Sequence, residues 1–90
     1  METFENIVNE LENQVKNTNT EYSDWCIGPM ARLQAFAISD RKSINLTYSV
    51  DCTIFTAQDV VDRFLEKGMK RDHIISANAG LGVFIYRDIR

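Results

Sequence analysis

Residues 44–54 read Ile-Asn-Leu-Thr-Tyr-Ser-Val-Asp-Cys-Thr-Ile and carry the clearest structural signal in the chain. Apolar side chains occupy every second position from Ile44 to Ile54, and polar side chains occupy the positions between them. Because side chains alternate between the two faces of a β-strand, this spacing predicts one long strand with a single apolar face. We expect the rest of the fold to be built around it.

Two other stretches have the spacing of amphipathic helices. Residues 3–17 begin with Thr3, a suitable N-cap, and residues 57–67 end before Gly68, which favours helix termination. The apolar stripes consist of Phe4, Ile7, Val8, Leu11 and Val15 in the first stretch and of Val60, Val61, Phe64 and Leu65 in the second. Both stretches are predicted to be helices.

Residues 29–39 allow two interpretations. Sequential strands usually pair, so the long strand favours a partner strand at residues 32–38. The alternative is a helix over residues 29–39, because Pro29 suits the first helical position and the following residues favour helix. That alternative would leave a three-stranded sheet.

Residues 73–90 have the pattern of a terminal β-hairpin. An apolar run at residues 73–77 precedes Gly80-Leu81-Gly82, and a β-rich run follows at residues 83–86. The predicted order is therefore αββαββ, an α+β fold in one domain spanning residues 1–90. Its two helices would pack on one face of a four-stranded, mainly antiparallel sheet and leave the other face open.

The composition narrows the class of protein. The chain has 90 residues, 44% of them hydrophobic, and a formal net charge of −3. The net charge makes nucleic acid an improbable partner, because such binding depends largely on phosphate neutralisation. No apolar run is long enough to cross a membrane, and the acidic N-terminus lacks the apolar core of a secretory signal. We expect a cytoplasmic protein with reduced thiols.

The residues that could carry chemistry are few. Cys26, Cys52 and His73 are the only cysteines and histidine, and their spacing matches no zinc motif. Cys52 is expected to be an inert thiol on the apolar face of the strand, and a pairing of Cys26 with His73 has little support. The sequence therefore predicts no enzyme activity, no cofactor and no metal site.

The candidate binding residues fall into two basic clusters and one aromatic pair. The clusters could receive a phosphate or an acidic partner surface, although solvated loops also explain them. Aromatic side chains are common at interface hot spots, although the sequence favours Trp25 as a residue that fills the end of the core. The candidates are Arg41 and Lys42, Lys70 and Arg71 with His73, and Tyr22 with Trp25.

These features favour a small non-enzymatic module that regulates or inhibits a partner protein, such as an accessory protein of a phage or mobile element. Self-association through a sheet edge or the open sheet face would be compatible with that function. One alternative is a small-ligand or nucleotide-binding oligomeric domain with its basic loops on phosphate. A second is nucleic-acid binding through the same loops.

Overall fold

A computed structural model describes residues 3–75 and 80–88. Within these ranges the chain forms three α-helices and an open four-stranded sheet, which confirms the α+β class. A short 3₁₀-helix, Tyr22–Asp24, precedes the first strand. The elements are α1 (Phe4–Asn17), β1 (Trp25–Pro29), α2 (Arg32–Arg41), β2 (Tyr48–Asp51), α3 (Ile54–Lys67), β3 (Lys70–Arg71) and β4 (Gly82–Arg87).

The sheet has the strand order β2-β4-β1-β3. Strand β4 is antiparallel to both β1 and β2, whereas β3 is parallel to β1, so the sheet is mixed but mainly antiparallel. Ile85 of β4 lies between Ile27 of β1 and Tyr48 of β2. Strands β1 and β4 are thus the two inner strands.

Helices α1 and α3 lie on one face of the sheet, as predicted. The hydroxyl of Thr3 caps α1 by accepting a hydrogen bond from the Asn6 amide at 3.3 Å. Helix α3 begins at Ile54, three residues earlier than expected, because Thr53 caps it in the same way. The main side chains of this first core are Ile7, Leu11, Trp25, Ile27, Val60, Phe64, Val83 and Ile85.

The predicted strand at residues 32–38 is wrong, because these residues belong to helix α2. The alternative reading of residues 29–39 was therefore right about the helix, but not about the sheet. Four strands are still present because Trp25–Pro29 forms β1. The predicted order αββαββ is replaced by αβαβαββ.

Helix α2 covers the second face of the sheet, so the prediction of an open face is also wrong. A second core lies there and consists of Cys26, Met30, Ala35, Ile75, Phe84 and Tyr86. The physical reason is that β1 and β4 carry large side chains on both faces. A sheet of this kind needs a covering layer on each side.

The long strand predicted over residues 44–54 is shorter in the structure. Only Tyr48–Asp51 pairs as a strand, and Ile54 already starts α3. Ile44 and Leu46 pack against the second core, whereas Val50 packs against the first. The alternating pattern therefore combines a loop that serves one face with a strand that serves the other.

The terminal hairpin is wrong as well. Strand β3 is Lys70–Arg71, whereas the described part of the predicted strand, residues 73–75, does not pair. Strand β1 separates β3 from β4, so these two strands are not neighbours. The predicted strand at residues 83–86 is confirmed within β4. Residues 76–79, 89 and 90 of the hairpin lie outside the described ranges.

Alanines 35 and 37 distinguish the helix from the rejected strand. They would share one face of a strand, whereas in α2 the side chain of Ala35 is fully buried and Ala37 is exposed. We expect Ala35→Leu to lower the free energy of unfolding by about 1–3 kcal/mol through overpacking. Ala37→Leu should change it by less than about 0.5 kcal/mol.

Urea denaturation of both variants would measure this difference. Equal losses of stability in the two variants would contradict the orientation of α2.

Candidate functional site

Helix α2 packs on the sheet mainly through small side chains, together with the half-buried Ile38, and exposes two other large apolar side chains. Ala35 and Ser39 are the residues it buries. By contrast, Leu33 is 78% exposed and Phe36 is 41% exposed, with the Arg32 guanidinium 5.2 Å from the Phe36 ring centre. Small residues at the contact let the helix approach the sheet closely, and the outward face of α2 is left apolar.

The first turn of α3 and the residue before β4 also expose large apolar side chains. Phe55 is 79% exposed, Leu81 is 53% exposed and Ile54 is 40% exposed. Exposed aliphatic or aromatic residues are unremarkable when they are scattered singly. Their position in the fold therefore decides whether these residues have a common role.

Hydrogen bonds hold the segments that carry these side chains at one end of the sheet. The amide of Arg32, next to Leu33, donates to Asp51 Oδ1 at 2.7 Å. The amide of Cys52, two residues before Ile54, donates to the Leu81 carbonyl at 2.9 Å. We define the apolar end as the four exposed side chains Leu33, Ile54, Phe55 and Leu81.

A glycine allows these segments to approach one another. A Cβ atom built on Gly82 would lie 2.5 Å from the carbonyl oxygens of both Met30 and Val50. Real Cβ atoms do not come so close to backbone oxygen atoms, so a side chain at this position would separate the strand ends. Gly82 is therefore required where β1, β2 and β4 meet.

A pocket of about 430 Å³ lies at the opposite end of the sheet, on the side covered by α2. Its wall comes from the loop between α2 and β2, from Ile74 and from the start of β1 and the end of β4. The lining residues include Cys26, Ile44, Asn45, Thr47, Tyr86 and Asp88. The pocket therefore lies between the segments that follow the two predicted basic clusters.

The inner wall of this pocket contains a buried chain of hydrogen bonds. The Cys26 thiol is hydrogen-bonded to the Tyr86 phenol, and the Tyr86 hydroxyl donates to Asp72 Oδ1. Asp72 is only 3% exposed and also accepts hydrogen bonds from the amides of Ile74 and Ile75. These bonds attach residues 72–75 to the second core.

Burial and the neighbouring carboxylates raise the pKa of both the Cys26 thiol and the Tyr86 phenol. Burial is the main cause that raises the pKa of Cys26; the Tyr86 hydrogen bond opposes it, and Asp88 and Asp72 add to it. Burial and then the hydrogen bond to Asp72 raise the pKa of Tyr86 well above its usual range. The Cys26 thiol therefore stays protonated near neutral pH and is a poor nucleophile.

The aromatic candidates contribute mainly to packing. Trp25 is completely buried, and its indole Nε1 donates to Thr20 Oγ1 at 2.7 Å, which agrees with the alternative that it fills the core. Tyr22 is half-buried with its ring centre 6.0 Å from that of Phe64. The Lys67 ammonium lies 5.5 Å from the Tyr22 ring centre.

The basic candidates are exposed but do not converge on one site. Arg41 ends α2, and Lys42 is the next residue. In β3, Lys70 Nζ lies 2.9 Å from Asp88 Oδ2. Arg71 instead lines a second pocket, on the α3 side, and His73 is an exposed residue of the segment after β3.

The structure adds two observations on chemistry. Among residues 3–75 and 80–88, no three His, Cys, Asp or Glu side chains group in a way that could hold a metal ion. Cys52 is a free, fully buried thiol whose pKa is raised, first by burial and then by Asp51, as expected for an inert residue.

In the described part of the chain, no helix has the length and apolar character needed to cross a bilayer.

Sequence reasoning did not identify the apolar end. Leu33 and Phe36 are spaced like two residues on one helical face, and Ile54-Phe55 directly follows the predicted strand. Both features were assigned to buried elements, because apolar periodicity does not reveal which face of a helix is covered. Only the orientation of α2 and the early start of α3 show that these side chains are exposed.

The protonated thiol and phenol lead to a prediction about stability in alkali. Cys and Tyr of an unfolded chain lose their protons near about pH 8.5 and 10. In the folded chain, burial raises the pKa values of Cys26, Cys52 and Tyr86. The stabilisation from Tyr86 is thus fully present below its unfolded pKa and is lost as pH rises above it. We expect the free energy of unfolding to fall above about pH 9, and more gently above about pH 10 in Tyr86→Phe.

Urea denaturation over this range would measure both slopes. Between about pH 6 and 8 the free energy of unfolding should depend on pH in the same way in the variant and the parent chain, because Tyr86 titrates there in neither the folded nor the unfolded chain. An unchanged slope above about pH 10 in the variant would contradict the assigned environment of Tyr86.

Comparison with known proteins adds no functional assignment. No family model matches the chain, and neither a curated protein nor a solved structure shows significant similarity to it.

Proposed function

We propose that this chain is a non-enzymatic protein-interaction module that regulates or inhibits a partner protein. The apolar end binds the partner and is buried in the interface. The observation that supports the proposal is the exposure of Leu33 and Phe55, at 78% and 79%, on segments that hydrogen bonds hold at one end of the sheet. The origin in a phage or mobile element stays a prediction.

The energetic argument concerns water at these side chains. Fully burying a Leu, Ile or Phe side chain contributes about 1.5–3 kcal/mol, and this stabilisation is not realised at the apolar end of the isolated chain. Grouped apolar side chains on a protein surface mark sites of protein association more often than scattered ones. A partner that covers Leu33 and Phe55 would gain most of this energy.

The surroundings of the apolar end also suit a protein interface. Arg32 and Gln34 are exposed beside Leu33 on α2, and Gln58 is exposed one turn after Ile54 on α3. An apolar centre with polar residues around it is the usual composition of such interfaces. The hydrogen bonds at Asp51 and Leu81 hold the contributing segments in place before binding, which reduces the entropy lost on association.

The remaining candidate functions have less support. Catalysis by Cys26 and His73 would need an activated thiol, but the Cys26 pKa is raised and His73 is exposed. Nucleic-acid binding would need a continuous basic surface, but Lys70 and Arg71 have different surroundings and Lys70 is bound to Asp88. Self-association through an open sheet face is not supported, because α2 covers that face. Self-association through a sheet edge stays a prediction.

Substitutions at the apolar end test the proposal. Leu33→Ser and Phe55→Ser should each weaken binding to the partner by about tenfold or more, as expected for residues at the centre of an interface. Both side chains are largely exposed, so folding should be preserved. Capture from lysate of the source cells, quantified by mass spectrometry, would identify the partner, and titration of the purified partner would give the affinities.

Ile74→Ser is the matched control, because Ile74 is an exposed aliphatic residue at the other end of the sheet. This variant should bind like the parent chain. Equal capture of the partner by all four proteins, or no specific partner for the parent chain, would refute the proposal. A regulator or inhibitor should in addition change the activity of its purified partner.

A further inference from the structure

The pocket at the end of the sheet opposite the apolar end has the features of a small-molecule site. Its volume of about 430 Å³ lies within the range of ligand pockets, which is about 300–1,000 Å³. Ile44 and Ile74 give it apolar walls, and Asn45 and Thr47 add polar groups. A compound with a short apolar body and one polar group would match this lining.

The charges around the pocket select the sign of the ligand. Asp88 and Arg87 both line the pocket. The Asp88 side chain is only 11% exposed, whereas the Arg87 guanidinium lies 5.9 Å from the ring centre of Trp25, a residue of the first core. Asp72 accepts a hydrogen bond from the Tyr86 hydroxyl at the inner wall.

The negative dipole end of α2 contributes little here, because Arg41 and Lys42 lie beside it. Burial is the main cause of the raised pKa of Cys26, which lines the pocket; Asp88 and Asp72 also raise it, and Lys70 lowers it. The two carboxylates therefore favour a cation in the pocket.

An intramolecular contact already shows the interaction that such a ligand would make. The Lys70 ammonium donates a hydrogen bond to Asp88 Oδ2 at 2.9 Å, and the Lys70 side chain is 56% exposed. Because more than half of the Lys70 side chain is exposed, its ammonium group can leave Asp88 for water, and another ammonium group can take its place. We propose that the pocket binds a small organic ammonium compound, with Asp88 as the residue that accepts its charge.

Substitutions of Lys70 and Asp88 are expected to change the affinity for the ammonium ligand in opposite directions. Lys70→Ala removes a competing ammonium, so the ammonium ligand should bind about two- to fivefold more tightly. Asp88→Asn removes the accepting charge, so binding should weaken about tenfold or more. Both variants lose the same ion pair, so its loss alone cannot explain changes in opposite directions.

The probe is 2-phenylethylammonium chloride, titrated into the isotope-labelled full chain and followed by the amide signals of residues 43–47 and 86–88. Its neutral isostere 2-phenylethanol and its anionic isostere phenylacetate serve as matched controls. The proposal predicts that the ammonium compound binds more tightly than either control. It also predicts the order of affinity Lys70→Ala, parent chain, Asp88→Asn.

Three outcomes would overturn the proposal. The first is no saturable binding of the ammonium compound to the parent chain and to Lys70→Ala. The second is equal binding of the neutral isostere, which would reduce the pocket to an apolar cleft. The third is tighter binding of phenylacetate that Lys70→Ala weakens, which would assign the pocket to anions and support the phosphate alternative. The apolar end lies at the other end of the sheet, so its function does not depend on this result.

Discussion

The inner strand β4 is buried on both faces, and the rest of the structure depends on this constraint. It pairs with β1 on one side and β2 on the other, and its residues from Gly82 to Tyr86 are all buried. Val83 and Ile85 contact the layer of α1 and α3, whereas Phe84 and Tyr86 contact the layer of α2. Burying both sets of side chains requires helices on both sides of the sheet.

The second layer explains both candidate sites. Helix α2 lies against the sheet through Ala35, Ser39 and the half-buried Ile38. Leu33 therefore points to solvent and contributes to the apolar end. The loop that follows α2 returns to β2 at the other end of the sheet, where it encloses the pocket beside Asp88. The inward position of the small residues of α2 thus leads to an apolar surface at one end of the sheet and a pocket at the other.

Helices α1 and α3, with their apolar stripes, and the β-rich strand β4 could be predicted from the sequence, whereas β1 and α2 could not. The stripes of α1 and α3 identified both helices, and the α+β class followed from them. Strand β1 has no alternation because all five of its residues, Trp25–Pro29, are buried. Helix α2 has no apolar stripe, because it buries Ala35 and Ser39 while Leu33 and Phe36 are exposed. The local preference for helix after Pro29 was outweighed by the assumption that neighbouring strands pair. Among the candidate residues, Lys70 proved to contact a pocket residue and Trp25 to lie in the core.

The orientation of α2 is the central claim, and paramagnetic relaxation in solution tests it most directly. A soluble gadolinium chelate broadens the NMR signals of protons that lie near solvent. The account predicts strong broadening of the Leu33 methyl and Phe55 ring signals and little effect on the Ala35 methyl signal. A protected Leu33 together with a broadened Ala35 would contradict it, because α2 would then pack on the sheet through the opposite face.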